Sequence, residues 1–220
     1  GTSDRPAGPY SFERFVRQAV EVVESTGFPR PSIMLGHSFG AAVVAAVAVR
    51  QPGLASHLVL VAPMLDFSAS SGWARLFRPP VFGALAMRLI GVPGLIRRRR
   101  RRYAAMGQPH LTQRFVAQAA DPGFGRALAS MFREGALGDK SAHYAALRAF
   151  GGDVLVITGE RDTIVPAEHA ARVRSLLPPH VHVALPAEHS LLLTHPHAVA
   201  DAIGGWLQRG AGDAANGARA

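Results

Sequence analysis

The stretch PSIMLGHSFGAAVVAAVAV, residues 31–49, decides the fold of this chain. The apolar run Ile33-Met34-Leu35 leads into Gly36-His37-Ser38-Phe39-Gly40, and small apolar residues follow at once. The run predicts a short strand, and the residues from Phe39 to Arg50 predict a helix that can pack tightly. One serine therefore stands between two glycines at the point where a strand must turn into a helix.

Gly-x-Ser-x-Gly in this position is typical of a strained turn that presents a nucleophile. Side chains two positions before and after the serine are expected to clash, so we expect Gly36 and Gly40 both to be needed. The Ser38 hydroxyl then projects above the sheet, and the Phe39 N–H, at a helix N-terminus, can bind an oxyanion. The alternative is a tight strand-to-helix turn without chemistry.

The composition sets limits on the fold and on the chemistry. A chain of 220 residues, 48% of them hydrophobic, is long enough for one substantial domain with an insertion. The absence of cysteine excludes disulfides, thiolate nucleophiles and Cys-based zinc sites. Lys140 is the only lysine, so arginine supplies nearly all the cations behind a net charge of +9. This charge favours a solvated basic surface over attraction to anionic lipid or substrate.

Strand and helix patterns alternate at both ends of the chain and therefore predict an α/β fold with parallel βαβ units. Further strands are predicted at 58–62, 154–157 and 181–185, and further helices from Ser11 and at about 166–177 and 196–207. From Asp66 to about Phe150 only helical or irregular segments occur, which predicts an insertion that covers the sheet ends as a lid. The predicted segments are a first core segment (residues 1–65), a helical lid (residues 66–150), a second core segment (residues 151–207) and a disordered tail (residues 208–220).

A serine nucleophile needs a base, and the base needs an acid that orients it. Asp162 follows the third predicted strand in DVLVITGERD, and His189 follows the fourth in VHVALPAEHS. Because sites in open parallel sheets lie beyond the carboxyl ends of the strands, Ser38, Asp162 and His189 are expected to meet there. Glu160 and Asp66 are the competing acids.

Nine other histidines compete with His189 for the role of base. His37 is fixed by the turn beside the serine. Four histidines in or next to the last strand and helix are better explained as capping or surface residues: His180, His182, His195 and His197. The other four are not placed at a strand end: His57, His110, His143 and His169. No metal or cofactor is implied by any of these patterns.

The segments LVLVAPMLD, VLVITGERDTIVP and PAEHSLLLTHP, together with the serine turn, resemble the α/β-hydrolase superfamily. They are most similar to its lysophospholipase, monoacylglycerol-lipase and serine-aminopeptidase-like branch. The resemblance covers residues 4–207, weakly through the lid, and Ala41 stands where that branch often has a second glycine. It implies an eight-stranded sheet, a Ser-His-Asp triad and hydrolysis through an acyl-enzyme.

The same resemblance makes DRPAGPYS, residues 4–11, similar to the loop after the fourth strand of the family. It implies that four strands and the loop that donates a second oxyanion N–H are missing, so that the chain is the C-terminal half of the sheet, truncated at its N-terminus. Ile33, Met34 and Leu35 would then form a bare apolar sheet edge. The loss of one oxyanion donor lowers turnover about 10²- to 10³-fold.

Six consecutive arginines, Arg97 to Arg102, follow the apolar segment 79–96. The segment contains three prolines and Arg88, so it does not qualify as a transmembrane helix. Three interpretations remain: a solvated helix face, an element that binds anionic lipid, and a nucleic-acid patch, which the scarcity of nearby aromatic residues disfavours.

The sequence therefore predicts a serine hydrolase that cleaves a small carboxylic ester, such as a lysophospholipid or monoacylglycerol. Its location is expected to be cytoplasmic, with peripheral contact to membranes. Hydrolysis of a C–C bond or acyl transfer by the same triad is the alternative within enzymes. An inactive fragment that binds membranes or partners through its arginines is the alternative from another class.

Overall fold

The computed structural model of the chain describes residues 3–67, Phe77 and residues 79–217. It forms two compact units: unit 1 comprises Gly1–Phe15 and Phe67–Gly138, and unit 2 comprises Val16–Asp66 and Asp139–Ala220. Residues 68–76 and 78 of the predicted lid, and 218–220 of the predicted tail, lie outside the described residues.

A parallel four-stranded sheet forms the centre of unit 2 and confirms the predicted fold class. Its strands are β1 (Ser32–His37), β2 (Ala55–Val61), β3 (Asp153–Gly159) and β4 (Val181–Leu185), in the order β1-β2-β3-β4. The resemblance implied the C-terminal half of an eight-stranded sheet, and the described residues form these four strands. Within the described residues, β1 lies at an edge of this sheet, and Ile33 and Leu35 are exposed whereas Met34 is buried. The truncation from which a bare edge was expected stays a prediction.

The helices of the described residues, in chain order, are α1 (Phe12–Ser25), α2 (Phe39–Arg50), α3 (Pro80–Ala86), a π-helical turn (Met87–Gly91), α4 (Val92–Ala105), α5 (His110–Ala119), α6 (Pro122–Arg133), α7 (Ser141–Ala146) followed by a 3₁₀ turn (Leu147–Ala149), α8 (Ala167–Leu176), α9 (Leu191–Thr194) and α10 (Pro196–Gly217). Within these ranges, no helix is sufficiently long and apolar to cross a membrane.

The end of the chain differs from the prediction. The disordered tail was expected from residue 208, but α10 continues to Gly217. The alanines of this segment favour a helix, and no proline follows Pro196 to end it. The glycines and alanines were therefore a poor indication of disorder.

The core of unit 2 forms where helices cover both faces of the sheet. Leu58, Leu60 and the central residues of β3 have no exposed surface, as expected of strands buried on both faces. Val199 and Trp206 of α10 pack in one cluster with residues of β2 and β3. The small residues of α2 from Ala41 to Ala48 are nearly all buried, which confirms the tightly packed helix.

Unit 1 has its own smaller core of aromatic and aliphatic side chains. Phe77 and Phe132 lie 5.5 Å apart between ring centroids, and Met87 and Val92 pack in the same cluster. An ion pair of 2.6 Å joins Arg5 to Asp121, so the N-terminal segment belongs to this unit. The lid role predicted for these helices stays a prediction.

Within unit 2, the two segments that flank the insertion lie side by side. The Lys140 N–H donates a hydrogen bond of 2.9 Å to the Leu65 carbonyl, and the Lys140 side chain is buried. Burial lowers the pKa of Lys140, and the Asp66 and Asp139 carboxylates partly oppose this change by stabilising its charged form. Close by, the buried Tyr144 hydroxyl donates to the Met64 carbonyl at 3.0 Å.

We expect Tyr144→Phe to lower the free energy of unfolding by about 1 kcal/mol, because it removes a buried hydrogen bond to the Met64 carbonyl. Tyr10→Phe is a matched control, since the Tyr10 hydroxyl donates to the Pro6 carbonyl at 3.0 Å in an exposed position. Urea denaturation measures both variants. An equal loss in the two would contradict a special contribution from the buried hydroxyl.

Candidate active site

Ser38 has an unusual backbone conformation between β1 and α2. Its φ of 56° lies in the left-handed region, which a residue with a Cβ adopts only at a cost. The Ser38 N–H donates to the Val61 carbonyl at 2.9 Å, and the Met64 N–H donates to the Ser38 carbonyl at 3.2 Å. The end of β2 and the turn that follows it therefore hold both sides of this residue.

The two glycines of the turn are not equivalent. A Cβ on Gly36 would lie 2.7 Å from the Ala41 Cα and would clash with the Gly40 carbonyl, both of which are backbone atoms. A Cβ on Gly40 would meet no described atom within 4 Å. The prediction that both glycines are needed for steric reasons is therefore supported for Gly36 and wrong for Gly40.

The structure brings the three predicted residues together within unit 2. The Nε2 atom of His189 lies 3.0 Å from the Ser38 Oγ, and its Nδ1 atom lies 2.8 Å from the Asp162 Oδ2. An ionised carboxylate only accepts hydrogen bonds, so Nδ1 carries the proton and Nε2 can accept the proton of the serine hydroxyl. This geometry allows a base to activate an alcohol.

Asp162 is held by more than the imidazole. Its Oδ1 accepts the backbone N–H groups of Ile164 at 2.8 Å and Val165 at 2.9 Å. Burial alone would raise the pKa of Asp162, but the hydrogen bonds from His189 and the two backbone N–H groups hold this pKa below its ordinary value. The carboxylate is therefore ionised at neutral pH.

A cavity of about 140 Å³ lies beside Asp162 on the side of β3 and α8. Thr158, Glu160 and Arg174 contribute to its wall, whereas Ser38 and His189 do not. This cavity therefore adjoins the acid of the site and not the hydroxyl that would attack a substrate.

The competing acids lie elsewhere. Asp66 interacts electrostatically with Lys140, and Glu160 is an exposed residue that follows β3. Within the described residues of the chain, Asp162 is the carboxylate that contacts the imidazole of His189. Asp162 is thus the better candidate on geometry, as the strand-end argument predicted.

Several of the competing histidines have structural partners. His57 contacts Ser56 at 2.8 Å and Asp153 at 3.5 Å. His182 on β4 contacts Thr158 of β3 and Arg174 of α8. His195 contacts its neighbour Thr194 at 2.8 Å. Within the described residues, His189 is therefore the histidine that contacts the Ser38 hydroxyl.

The sequence argument missed a contact of His37. The His37 Nε2 lies 2.8 Å from the His189 carbonyl oxygen, which can only accept, so Nε2 carries the proton. The two rings are tilted by 48°, with their centroids 4.9 Å apart. His37 thus connects the serine turn to the backbone of the base, a contact that only the fold brings about.

Phe39 occupies the first position of α2, directly after Ser38, where the backbone N–H groups of the first turn point away from the helix. This is the position expected of an oxyanion donor, and the role stays a prediction. Among the described residues, no three His, Asp or Glu side chains are grouped as metal ligands.

A serine at a strained strand-to-helix turn, with a histidine and an aspartate after later parallel strands, defines the α/β-hydrolase class of fold and site. The chain belongs to the Alpha/beta hydrolase family, whose model matches residues 1–202. The resemblance to this superfamily is thereby confirmed.

Two curated relatives are 2-hydroxymuconate semialdehyde hydrolases. That of Pseudomonas putida is 27% identical over 81% of this chain and 62% of its own length, so the match spans less than two thirds of this relative. That of Pseudomonas sp. (strain CF600) is 25% identical over 94% of this chain and 72% of its length. These relatives differ from the lysophospholipase branch that the motifs resemble.

A solved structure supports the fold. The enol-lactonase from Burkholderia xenovorans LB400 superposes with a TM-score of 0.73 over 94% of this chain and 77% of that chain, at 16% identity.

We expect Gly36→Ala to lower the free energy of unfolding by about 1–3 kcal/mol, because neither contacting backbone segment can move aside without disturbing the turn. Gly40→Ala is the matched variant and is expected to be neutral or stabilising by up to about 1 kcal/mol, since alanine favours a helix. Urea denaturation compares the two. Equal destabilisation would contradict the difference in steric demand.

The depressed pKa of Asp162 predicts a pH-dependent contribution to stability. Because the pKa of Asp162 is lower in the folded state than in the unfolded state, the ionised carboxylate stabilises the fold at any pH above the unfolded-state pKa, near 3.8. This stabilisation is lost as the pH falls through the folded-state pKa. Asp162→Asn should therefore cost about 1–3 kcal/mol at neutral pH, and the difference from wild type should narrow in acid.

Urea denaturation across a pH series tests this expectation, with Asp201→Asn on an exposed position of α10 as the control. A difference between wild type and Asp162→Asn that stays constant or widens toward acid pH would contradict the proposed ionisation.

Proposed function

We propose that this chain carries the catalytic machinery of a serine hydrolase for a small molecule, with Ser38 as nucleophile, His189 as base and Asp162 as the residue that orients the base. The single observation that supports it most is the pair of contacts from His189, 3.0 Å to the Ser38 Oγ and 2.8 Å to the Asp162 Oδ2. Nucleophile, base and orienting acid are the three components that hydrolysis by an alcohol requires.

In this mechanism the Ser38 Oγ attacks a carbonyl carbon of the substrate while the His189 Nε2 takes its proton. The Phe39 N–H binds the oxygen on which negative charge develops. Asp162 stabilises the imidazolium that forms. His189 then gives the proton to the leaving group, and water releases the acyl group from Ser38 by the same steps.

The bond that breaks is proposed to be a C–C bond next to a carbonyl. Both curated relatives are named 2-hydroxymuconate semialdehyde hydrolases, which favours this chemistry over the ester hydrolysis expected from the sequence. The electron pair of the broken bond passes to the leaving carbon, where a neighbouring carbonyl can stabilise it as an enolate. The proton from His189 completes this product, and water supplies the hydroxyl of the carboxylic acid.

Hydrolysis of a small carboxylic ester is the second candidate. It uses the same attack by Ser38, and only the leaving group, an alkoxide in place of a carbanion, differs. Lysophospholipids, monoacylglycerols and other acyl esters remain predictions of the sequence patterns, as do acyl transfer, the cytoplasmic location and the absence of a cofactor.

A fluorophosphonate probe tests the nucleophile. We expect it to label the wild type and not Ser38→Ala, because the Ser38 hydroxyl is the one in contact with the His189 imidazole. Ser175→Ala on α8 is the control, since the Ser175 hydroxyl donates to the Arg172 carbonyl and contacts no histidine among the residues that the structure describes. A folded wild type that is not labelled would overturn the proposed triad and favour a binding module without catalysis.

Two substrate assays distinguish the bonds. Loss of 2-hydroxymuconate semialdehyde followed by its absorbance, abolished in Ser38→Ala, is the result expected for C–C hydrolysis. Release of p-nitrophenol from a short acyl ester without attack on the semialdehyde would contradict that choice and support ester hydrolysis. Ser38→Ala should lower either activity by about 10³-fold or more.

A further inference from the structure

The helical segment 80–105 of unit 1 has one buried and one exposed apolar side. Met87 and Val92 are buried in the core of the unit, next to Phe77. Five other apolar residues, here named the apolar face, are between 51% and 76% exposed: Val81, Phe82, Leu85, Leu89 and Ile90. The five residues fall within positions 81–90 of one helical segment. Large exposed apolar patches mark contact sites on folded proteins.

The same segment continues into α4, which contains the six arginines. The Arg99 guanidinium lies over the Phe115 ring, 5.8 Å from its centroid, so this arginine packs within unit 1. Four members, here named the arginine cluster, are exposed: Arg97, Arg98, Arg100 and Arg101. In the ranges that the structure describes, no carboxylate forms an ion pair with any of these four.

The arginine cluster opposes helix formation when it stands alone. Arg97 lies three and four positions before Arg100 and Arg101, and like charges at these spacings repel each other on a helix surface. A surface that carries many negative charges would remove this repulsion. The arrangement therefore fits a polyanion better than a single small anion.

We propose that the apolar face and the arginine cluster together form a docking surface for an anionic phospholipid bilayer. The apolar face enters the boundary between headgroups and acyl chains, while the arginine cluster contacts lipid phosphates. A nucleic acid would satisfy the arginines but would leave Val81, Leu85 and Leu89 in water. A bilayer accounts for both halves of the segment, and this proposal does not depend on the chemistry of Ser38.

Sedimentation of the full chain with vesicles of phosphatidylcholine, with and without phosphatidylglycerol, tests the surface. We expect binding to the anionic vesicles only, weakened by salt. Exchange of all four members of the arginine cluster for glutamine should lower the partition coefficient about tenfold or more. The matched control replaces exposed arginines of unit 2 with the same loss of charge: Arg17, Arg30, Arg148 and Arg172.

A second variant tests the apolar face. Phe82→Ser with Leu89→Ser keeps the net charge, and both residues are exposed, so the fold should be retained, as circular dichroism can verify. Weaker vesicle binding at high salt, where the apolar contribution dominates, is expected for this variant.

Three results would overturn the proposal. One is equal loss of vesicle binding in the two arginine variants, which would indicate an effect of net charge alone. Another is equal binding to vesicles without phosphatidylglycerol. The third is binding of duplex DNA that depends on the arginine cluster in a chain that does not bind vesicles.

Discussion

The strained backbone of Ser38 is the constraint on which the site depends. Its left-handed conformation turns β1 into α2 within one residue and aims the hydroxyl at the His189 imidazole. Hydrogen bonds from the end of β2 and the turn that follows it hold the residue on both sides, and the missing side chain of Gly36 lets α2 approach β1 closely. The buried alanines of α2 keep the helix in that position. Local strain is thus balanced by packing and by hydrogen bonds between distant segments.

Parallel strands explain why residues far apart in sequence meet at this point. β1, β2 and β3 are adjacent and parallel, so their carboxyl ends lie on the same side of the sheet. Ser38, the turn after β2 and Asp162 each follow one of these carboxyl ends. His189 follows the carboxyl end of β4 on the same side. His37 adds a contact from the serine turn to the His189 backbone. The loop that carries the base is therefore fixed from two sides, by the Asp162 carboxylate and by the His37 ring.

The sequence was sufficient for the elements and residues whose signals are local or periodic. The small apolar residues from Phe39 to Arg50 predicted the bounds of α2, and strand ends predicted which aspartate and histidine would meet Ser38. The sequence was insufficient where the outcome depends on the three-dimensional distances between residues that are far apart in the chain. The steric freedom at Gly40, the contact of His37 and the electrostatic interaction of Asp66 with Lys140 arise from atoms brought together by the fold. The choice between ester and C–C hydrolysis depends on the leaving group, on which the shared triad motifs carry no information.

The torsion of Ser38 also sets activity against stability at one position. Glycine has no Cβ and would adopt a φ of 56° without the cost that serine bears. A chain with glycine at position 38 would therefore have a higher free energy of unfolding but would lose its nucleophile. Selection for thermal robustness alone would remove the hydroxyl from this turn, so an evolution experiment without a requirement for turnover should enrich replacement of the serine before changes in the buried strands.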